Sequence, residues 1–347
     1  MSGFTETEVF NRADRFVEGW YWAMPSAELS RGAVKPLRLL GRDLAVWRSA
    51  SGRVHAHDAY CPHMGAHLAE GSVDGEGIRC FFHHWKFDGE GELVDIPCQE
   101  HRPHVGVRSW HTDEQYGLIW IWAGAGAPHL PVPYIPELDG KKVRARLGNR
   151  FVKGCHPNVV MINAIDEQHF HSVHPLASSL AVGGRFDVKP LSANHIMFDN
   201  ANPVPDTNVV TRLLGTLYDG PLTYRMVYWN GTTGSVTVGP DRQHFHIIFA
   251  LRPNDQGQAE GQTILVTDAH DGPHGWLYDR ACLRLAQAVG DYFAKGDTEV
   301  FQTIRWSFAT PIKADRSIIH FIQHLEEQPV VAWGTWEPAA AARAEAS

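Results

Sequence analysis

Two short loops that each pair a cysteine with a histidine constrain this chain most strongly. The first contains Cys61 and His63 with one residue between them, and the second contains Cys80 and His83 with two. Sixteen residues separate His63 from Cys80. Glycines near both pairs favour turns, so each pair is expected to lie in its own loop within a β-rich region. The two loops are therefore predicted to carry four metal-ligating side chains to one site.

Two kinds of metal group fit two thiolates and two imidazoles. A single zinc ion takes four such ligands in a tetrahedron. A [2Fe-2S] cluster takes the cysteines on one iron and the histidines on the other, and the neutral imidazoles raise its reduction potential above that of an all-cysteine cluster. The location of each pair on a separate loop favours the cluster, and zinc remains the alternative.

The length and composition indicate two globular domains. The chain has 347 residues, of which 44% are hydrophobic and 20% charged, and domains typically contain about 100–200 residues. Short β-rich runs extend to the end of a predicted first domain, 18–125, and a proline-rich linker is predicted over 126–150. A second domain is predicted over 151–335, and a frayed tail over 336–347.

Charge and cysteine content narrow the class of partner. The net charge of −8 at pH 7 argues against a nucleic-acid-binding surface. The N-terminus does not resemble a signal peptide, and no apolar run approaches the roughly 18 residues of a membrane span. An odd number of cysteines, five, favours free thiols and metal ligands over a disulfide framework. A cytoplasmic protein that binds small molecules is the expectation.

The second domain is predicted to combine antiparallel strands with a long helix. Residues 223–229, 234–239 and 244–252 have the composition of strands. Residues 276–296 carry apolar side chains at intervals of three and four, which is typical of an amphipathic helix, and Gly296 suits its C-cap. The apolar positions are Leu277, Ala281, Leu285, Ala288 and Tyr292.

A second set of potential metal ligands lies near the start of this domain. Residues 158–175 are predicted to be helical, and within them Asp166, His169 and His174 follow the spacing D-x-x-H-x4-H. Mononuclear iron(II) oxygenases bind iron through two histidines and one carboxylate. Five helical steps would place His169 and His174 on different faces. The helix must therefore end or distort between them, which Pro175 favours.

With both patterns in place, the sequence resembles the Rieske-type non-haem iron oxygenases. The resemblance rests on CPHMGAHL and FHHW in the two loops and on GWYWAMPSAEL upstream, and it extends over nearly the whole chain. These segments are most similar to the branch of ketosteroid hydroxylases and sterol desaturases. That branch usually has C-P-F-H-G-W in the second loop, where Phe81 and His84 here replace the proline and the glycine. His83 keeps the family spacing, which favours it as the ligand over His84.

The resemblance implies an α+β protein that holds two metal groups. An N-terminal all-β domain would bind the Rieske [2Fe-2S] cluster, and a C-terminal helix-grip-like domain, with an antiparallel sheet and a long C-terminal helix, would bind mononuclear Fe(II). His169 and His174 would supply two iron ligands. Asp297, which precedes an apolar and an aromatic residue as in the related branch, would supply the third, with Asp291 and Glu299 as competitors.

The same resemblance assigns roles next to the iron. Asp166, one turn before His169 on the same face of the predicted helix, would link His83 of one subunit to His169 of the next, orienting both rings and giving electrons a short route. A carboxylate on the helix surface is the alternative. Asn163, one turn before Asp166, is expected to hold a hydrogen bond near the iron, with a polar surface position as the alternative. His171 is expected to be solvated or to line the pocket.

The remaining histidines and cysteines receive weaker expectations. His244 and His246 alternate on one strand face and are expected to line the substrate cavity or to face water. Cys98, Cys155 and Cys282 are expected to be free thiols, because no further metal-binding pattern surrounds them.

Together these inferences predict the terminal oxygenase component of a multicomponent system. It would use O2 and electrons from a separate NAD(P)H-dependent reductase or ferredoxin, since the chain lacks a dinucleotide-binding fingerprint. Monooxygenation of a hydrophobic, polycyclic or steroid-like substrate is favoured, and dioxygenation, desaturation and demethylation stay open. Family members form head-to-tail homotrimers, the ring that a closing heterologous contact requires. An electron-transfer protein with a ligand-binding domain and a zinc-stabilised binding protein are the alternatives.

Overall fold

The computed structural model describes residues 7–174, 185–204, 212, 218 and 220–331. Pro175, the predicted end of the second domain at residue 335 and the predicted tail 336–347 lie outside the described residues. Within these residues, no helix combines the length and apolar character that crossing a membrane requires.

Short antiparallel strands build the N-terminal part of the chain. Their bounds are β1 Phe16–Val17, β2 Gly19–Pro25, β3 Val34–Leu39, β4 Arg42–Arg48, β5 Val54–Asp58, β6 Ser72–Asp74, β7 Gly77–Arg79, β8 Lys86–Phe87, β9 Leu93–Asp95, β10 Ser109–Trp110, β11 Thr112–Gln115 and β12 Leu118–Ala123. Three sheets have the orders β10-β5-β4-β3, β11-β12-β2 and β6-β7-β8-β9. One predicted cluster loop lies between β5 and β6, and the other joins β7 to β8.

The pair β2 and β12 is buried on both faces, which explains its unbroken apolar sequence. Trp22 and Trp120 pack on one side, against a cluster that includes residues of the C-terminal sheet. Tyr21 and Ile121 pack on the other side, within the core of the N-terminal sheets. This pair of strands therefore belongs to two hydrophobic cores at once.

In the described residues, the C-terminal part consists of one large antiparallel sheet, four helices and one further short strand. Their bounds are β13 Val143–Lys153, α1 Pro157–Ile162, α2 Glu167–Val173, β14 Asp187–Pro190, β15 Ile196–Pro203, β16 Pro221–Trp229, β17 Thr233–Pro240, β18 Phe245–Pro253, β19 Ala259–Asp268, α3 Gly272–Thr303, α4 Arg316–Glu326 and β20 Val330–Val331. The sheet has the order β13-β19-β18-β17-β16-β15-β14, and α3 packs across β13, β18 and β19. The predicted α+β class and the strands β16 to β18 are confirmed.

Strand β13 begins at Val143, within the range 126–150 expected for the linker, because its pairing with β19 extends that far. The segment before it contains a short helical turn, Pro136–Leu138, and its Leu138 is buried in the hydrophobic cluster that also contains Trp22 and Ile248. Near the chain ends, β1 pairs with β20.

The prediction for α3 is wrong in two respects. The helix does not end at Gly296 but continues to Thr303. The apolar stripe from which the amphipathic helix was predicted is not its buried face, since 61% of Leu277 and 56% of Leu285 are accessible to solvent. Leu283 and Ala286 face the sheet. Periodicity shows which residues share a helix face, but it does not show which of two apolar faces meets the sheet.

A backbone contact joins the two parts of the chain. A Cβ atom on Gly19 would lie 2.4 Å from the carbonyl carbon of Asn230, and one on Gly231, whose φ is +98°, would lie 2.1 Å from the carbonyl oxygen of Trp20. Beside this contact, the Arg252 guanidinium donates to the carbonyl oxygen of Trp22 at 3.0 Å. Strand β2 and the β16–β17 turn approach so closely that only glycine fits at both positions.

Candidate metal centres

The two cysteine–histidine loops have the same backbone form. The N–H of Gly65, four residues after Cys61, donates to the Cys61 carbonyl at 2.9 Å. The N–H of His84, four residues after Cys80, donates to the Cys80 carbonyl at 3.0 Å. Gly65 has a φ of +76° and His84 a φ of +58°. The second loop thus keeps the left-handed turn that favours glycine although histidine occupies it.

Within these loops the cysteines and histidines lie at different depths. Cys61 and Cys80 are only 3% and 2% exposed, and burial raises the pKa of the Cys61 thiol to about 11. His63 and His83 are exposed, with their ring centroids 4.6 Å apart. Trp85 stacks on His63 at 4.4 Å and so limits the orientations of that ring. The donors form a buried thiol pair and an exposed imidazole pair.

This arrangement fits a two-iron cluster better than one zinc ion. In the described part of the chain, no three of these four side chains bring their ligand atoms within 4.8 Å of one another, whereas four ligands at about 2.0–2.3 Å from one zinc would all lie closer than that. Two separated pairs match a cluster with the cysteines on one iron and the histidines on the other. His84 is exposed on the same loop.

The second candidate centre is formed by His169, His174 and Asp297. It is the one group in the described residues in which three or more metal-ligating side chains converge. His169 lies in α2, and His174 follows its last residue with φ −119° and ψ 66°, outside the helical region. Helix α2 therefore ends before His174, as the five-residue spacing required. Asp297 enters from α3, 128 residues after His169.

The distances within this triad fit one metal ion. The two histidine Nε2 atoms lie 3.1 Å apart. One oxygen of Asp297 lies 2.8 Å from the His169 Nε2 atom and 2.9 Å from that of His174. Three adjacent ligands of an octahedral ion at about 2.1 Å would lie about 3.0 Å from one another. Two imidazoles and one carboxylate on one face are the donor set of mononuclear iron(II) oxygenases.

The competing carboxylates lie elsewhere. Asp291 accepts hydrogen bonds from Asn149 and Gln287, and Glu299 is exposed. Burial alone would raise the pKa of Asp297, but hydrogen bonds from the two imidazoles outweigh it and hold the pKa below its usual value. Of the three carboxylates considered from sequence, Asp297 alone contacts the histidines.

Gly296 makes room for this centre, a role that the sequence analysis missed. It lies inside α3, where glycine costs about 1 kcal/mol relative to alanine. A Cβ atom there would lie 2.7 Å from the Val173 side chain and 3.0 Å from Cε1 of His174. The signal was present, since a glycine directly before a candidate ligand in a helix interior suggests close packing.

The prediction that Asp166 shares a helical face with His169 is wrong. The predicted single helix over 158–175 is split into α1 and α2, and Asp166 has extended backbone angles at the start of α2. Its side chain accepts from the N–H groups of Gln168 at 2.9 Å and His169 at 3.2 Å. An aspartate satisfies free N–H groups best from this N-cap position. The link between subunits stays a prediction.

A small apolar cavity of about 80 Å³ opens onto the triad. Phe170, Phe293 and Val236 contribute to its apolar wall, and His174 and Asp297 to its metal end. Phe293 packs against His174 with 4.9 Å between ring centroids.

Asn163 also lines this cavity, and its side-chain nitrogen is buried without a hydrogen-bond partner among the described residues. A buried donor of this kind is costly unless a bound molecule accepts from it. The structure therefore brings Asn163 to the cavity wall.

The prediction for His244 and His246 is wrong. Neither residue belongs to the walls of the cavities beside the triad in the described chain; His246 is buried, and the His244 side chain is only 13% exposed. His244 contacts Glu137 at 2.7 Å, and buried His246 lies 3.0 Å from the Thr237 hydroxyl. The opposite strand face, with Ile247, lines the cavity. A polar residue can face the interior where a partner from another element meets it.

The remaining predicted positions lie outside both candidate centres. His171 is exposed on α2 and is not part of the cavity wall. The thiols of Cys98, Cys155 and Cys282 are free, in exposed, intermediate and buried positions respectively.

Comparisons with known proteins identify the domain that contains the cluster loops. Residues 19–111 match the family described as the Rieske [2Fe-2S] domain. The oxygenase component of 3-ketosteroid-9-alpha-monooxygenase from Mycolicibacterium smegmatis is 30% identical over 178 residues, which are 50% of this chain and 46% of that protein. Cholesterol 7-desaturase from Bombyx mori is 35% identical over 177 residues, 50% of this chain and 39% of that protein. The matched part thus spans less than half the length of these relatives.

The fold is shared over most of the chain. The oxygenase in the oxygenase–ferredoxin complex of carbazole 1,9a-dioxygenase superimposes with a TM-score of 0.68 and 17% identity, covering 95% of this chain and 94% of that one. Residues 19–111 are therefore a Rieske [2Fe-2S] domain, and the chain that carries them is similar in sequence to oxygenase components of the ketosteroid hydroxylase and sterol desaturase kind and has the fold of Rieske oxygenases.

Proposed function

We propose that this chain is the terminal oxygenase component of a Rieske system and that it adds oxygen to a hydrophobic substrate. The observation that carries this proposal is the triad of His169, His174 and Asp297 at the end of an apolar cavity, in a chain with a Rieske domain. An electron-transfer protein would have no use for such a triad.

Two sites in the chain would have separate roles, one in electron supply and one in oxygen activation. When bound, the cluster supplies electrons and the mononuclear iron supplies oxygen activation. Cys61, Cys80, His63 and His83 would hold the cluster. His169, His174 and Asp297 would hold the iron and leave the cavity side open. The apolar walls would exclude water from the reacting carbon and select a hydrophobic substrate.

Asn163 would orient the substrate. Its unpartnered side-chain nitrogen can donate to a carbonyl or hydroxyl oxygen of the bound molecule. Loss of that donor is expected to change which carbon reacts more than it changes overall binding.

The exposed edge of the cluster loops supports a protein partner. His63 and His83 lie on the surface together with Met64, Phe81 and Phe82, which are 52% to 66% exposed, and exposed apolar patches mark interaction sites. We propose that in a homotrimer a neighbouring subunit, with its Asp166, covers this edge at His83, and that a separate reductase or ferredoxin delivers electrons to the cluster from outside this subunit contact.

Monooxygenation is the favoured reaction and desaturation is the second candidate. The similarity to 3-ketosteroid-9-alpha-monooxygenase supports hydroxylation of a polycyclic substrate. The similarity to cholesterol 7-desaturase, over a comparable length, supports removal of two hydrogens. Both proposals require the same triad.

Metal analysis and a single turnover test the proposal. The purified protein is expected to contain about three irons and two acid-labile sulfides per chain, and to show a Rieske EPR signal after dithionite reduction. The reduced protein is then exposed to O2 with a 3-ketosteroid, and products are identified by mass. Gain of one oxygen supports monooxygenation, and loss of two hydrogens supports desaturation. Zinc without an EPR signal would refute the oxygenase.

A further inference from the structure

A second, larger cavity of about 350 Å³ lies between β13 and α3. It shares Phe151, Phe293 and Asp297 with the inner apolar cavity, so the two spaces meet beside the triad. Its wall contains more polar residues than that of the inner cavity, among them Asn149 and Thr298. A molecule with its apolar part in the inner cavity would extend into this outer one.

Lys153 is the unusual member of the outer wall. It ends β13 on the same strand face as Phe151, two residues earlier, and so points toward the cavity. Its ammonium donates to the Thr298 hydroxyl at 2.6 Å. It also lies 5.5 Å and 6.0 Å from the ring centroids of Phe151 and Phe301, within reach of weak cation–π attraction.

This ammonium has no ion-pair partner in the described part of the chain. No carboxylate oxygen there lies within 4.0 Å of it, whereas Arg150, the other cation of the outer wall, pairs with Glu260. Two of its three N–H donors have no acceptor among the same residues. An unpaired, partly buried charge is retained at a cost unless something binds it.

Asp297 does not fill this role. Burial lowers the pKa of Lys153 and outweighs the charge of Asp297, which acts in the opposite direction. The carboxylate of Asp297 is already engaged by His169 and His174 at 2.8 and 2.9 Å. A metal ion bound by these three groups would take up the same negative charge, and Lys153 would be left facing the cavity unpaired.

We infer that Lys153 forms an anion subsite, so that the substrate combines an apolar body with a carboxylate or a similar anionic group. This inference rests on the proposed function, since it takes the two cavities as the substrate site. The apolar body lies in the inner cavity near the triad, and the anionic group accepts hydrogen bonds from Lys153 in the outer one. The charge then fixes which end of the substrate reaches the metal.

Binding of two matched probes to the purified protein, with its metal sites filled, tests the subsite. 2-Naphthoate and its neutral methyl ester share one ring system and differ in charge, and their dissociation constants are measured by equilibrium dialysis without O2 or reductant. The wild-type protein is expected to prefer the carboxylate. Lys153→Met keeps the length and apolar stem of the side chain and is expected to weaken 2-naphthoate binding at least about tenfold, with less than about a twofold change for the ester.

Two further variants keep the result interpretable. Lys153→Arg restores a cation and is expected to recover most of the preference, which separates charge from folding. Lys142→Met removes a surface charge just before the same strand and is expected to change nothing, because Lys142 pairs with Asp271 away from the cavity. An unchanged preference in Lys153→Met, or no measurable wild-type binding of 2-naphthoate, overturns the subsite. Neither result bears on whether the iron-loaded protein is an oxygenase.

Discussion

The two candidate metal centres are built in opposite ways. The cluster loops take all four ligands from 23 consecutive residues and leave His63 and His83 on the surface. The triad joins α2 to α3 across more than a hundred residues and buries both histidines. A site that exchanges electrons with another protein needs an exposed edge, whereas a site that meets a hydrophobic substrate needs a dry interior. The contrast in burial follows from this contrast in task.

The largest expected effect is a clean separation of the two centres by mutation. Cys80→Ala should remove the cluster, with its roughly two irons and the EPR signal, and leave about one iron bound. Asp297→Ala should do the reverse, because the two histidines alone bind iron weakly. Iron content and EPR on both variants check this. If either substitution empties both centres, the centres do not fold independently.

Acid should destabilise both parts of the chain through buried neutral histidines. Burial lowers the pKa of His57, beside the cluster loops, and of His156, at the start of α1, from 6.5 to about 4. In the folded state both therefore stay neutral down to about pH 4, whereas in the unfolded chain they bind protons near pH 6.5. As the pH falls from 6.5 to 4, these histidines bind protons in the unfolded chain but not in the folded one. Each histidine therefore lowers the free energy of unfolding by on the order of 3 kcal/mol.

The variant His156→Asn measures how much His156 contributes to this loss of stability at low pH. Asparagine is a good N-cap and can accept from the Asn158 N–H, as His156 does at 3.2 Å. The fall in unfolding free energy between pH 6.5 and 4, measured by urea denaturation, should be smaller in this variant than in the wild type by about the amount of one histidine. Equal slopes in the two proteins would contradict the prediction.

Gly296→Ala should disturb the triad and spare the cluster. The added methyl group would press on Val173 and His174, and shifts of groups that orient metal ligands typically cost 10- to 100-fold in metal affinity. We expect iron(II) affinity to fall about tenfold, measured by competition with a chelator. Gly290→Ala, in the same helix, meets only the end of Ile247 at 3.3 Å and should bind iron normally. If Gly296→Ala and Gly290→Ala bind iron(II) with the same affinity, Gly296 does not make room for the triad.

The smallest effect should appear in the cluster loops. His84→Gly relieves a left-handed backbone and should stabilise the second loop by about 1 kcal/mol. Gly65→Ala places a side chain in the same conformation in the first loop, with no neighbour within 4 Å of the new atom, and should destabilise it by a similar amount. Loss of the visible cluster absorbance on heating measures both. If both substitutions shift the temperature of this absorbance loss in the same direction, the two loops do not share the same backbone requirement.

The cluster loops could be predicted from sequence more fully than the triad. The spacing of Cys61, His63, Cys80 and His83 is local, so the pattern indicated the cluster loops directly. The spacing of His169 and His174 indicated the end of α2. Asp297 required resemblance to a family, because no local rule connects residues 128 positions apart.

The failures have physical causes. Asp166 was placed inside a helix because a capping aspartate and a helical aspartate look alike in sequence. The stripe with Leu277 was interpreted as the apolar face of α3, although the opposite face also carries apolar residues and is the one that meets the sheet. Lys153 and Gly296 gained meaning only when folding brought them to the cavity and to His174.

The contact between Gly19 and Gly231 has a consequence for recombination among relatives. Each glycine is required by the backbone of the other part of the chain, so neither can change while its counterpart remains in place. A chimera that exchanged the first 125 residues for those of a homologue would combine a β2 strand and a β16–β17 turn that had not been selected together. Successful crossovers should carry the residues of both contacts as one inherited unit.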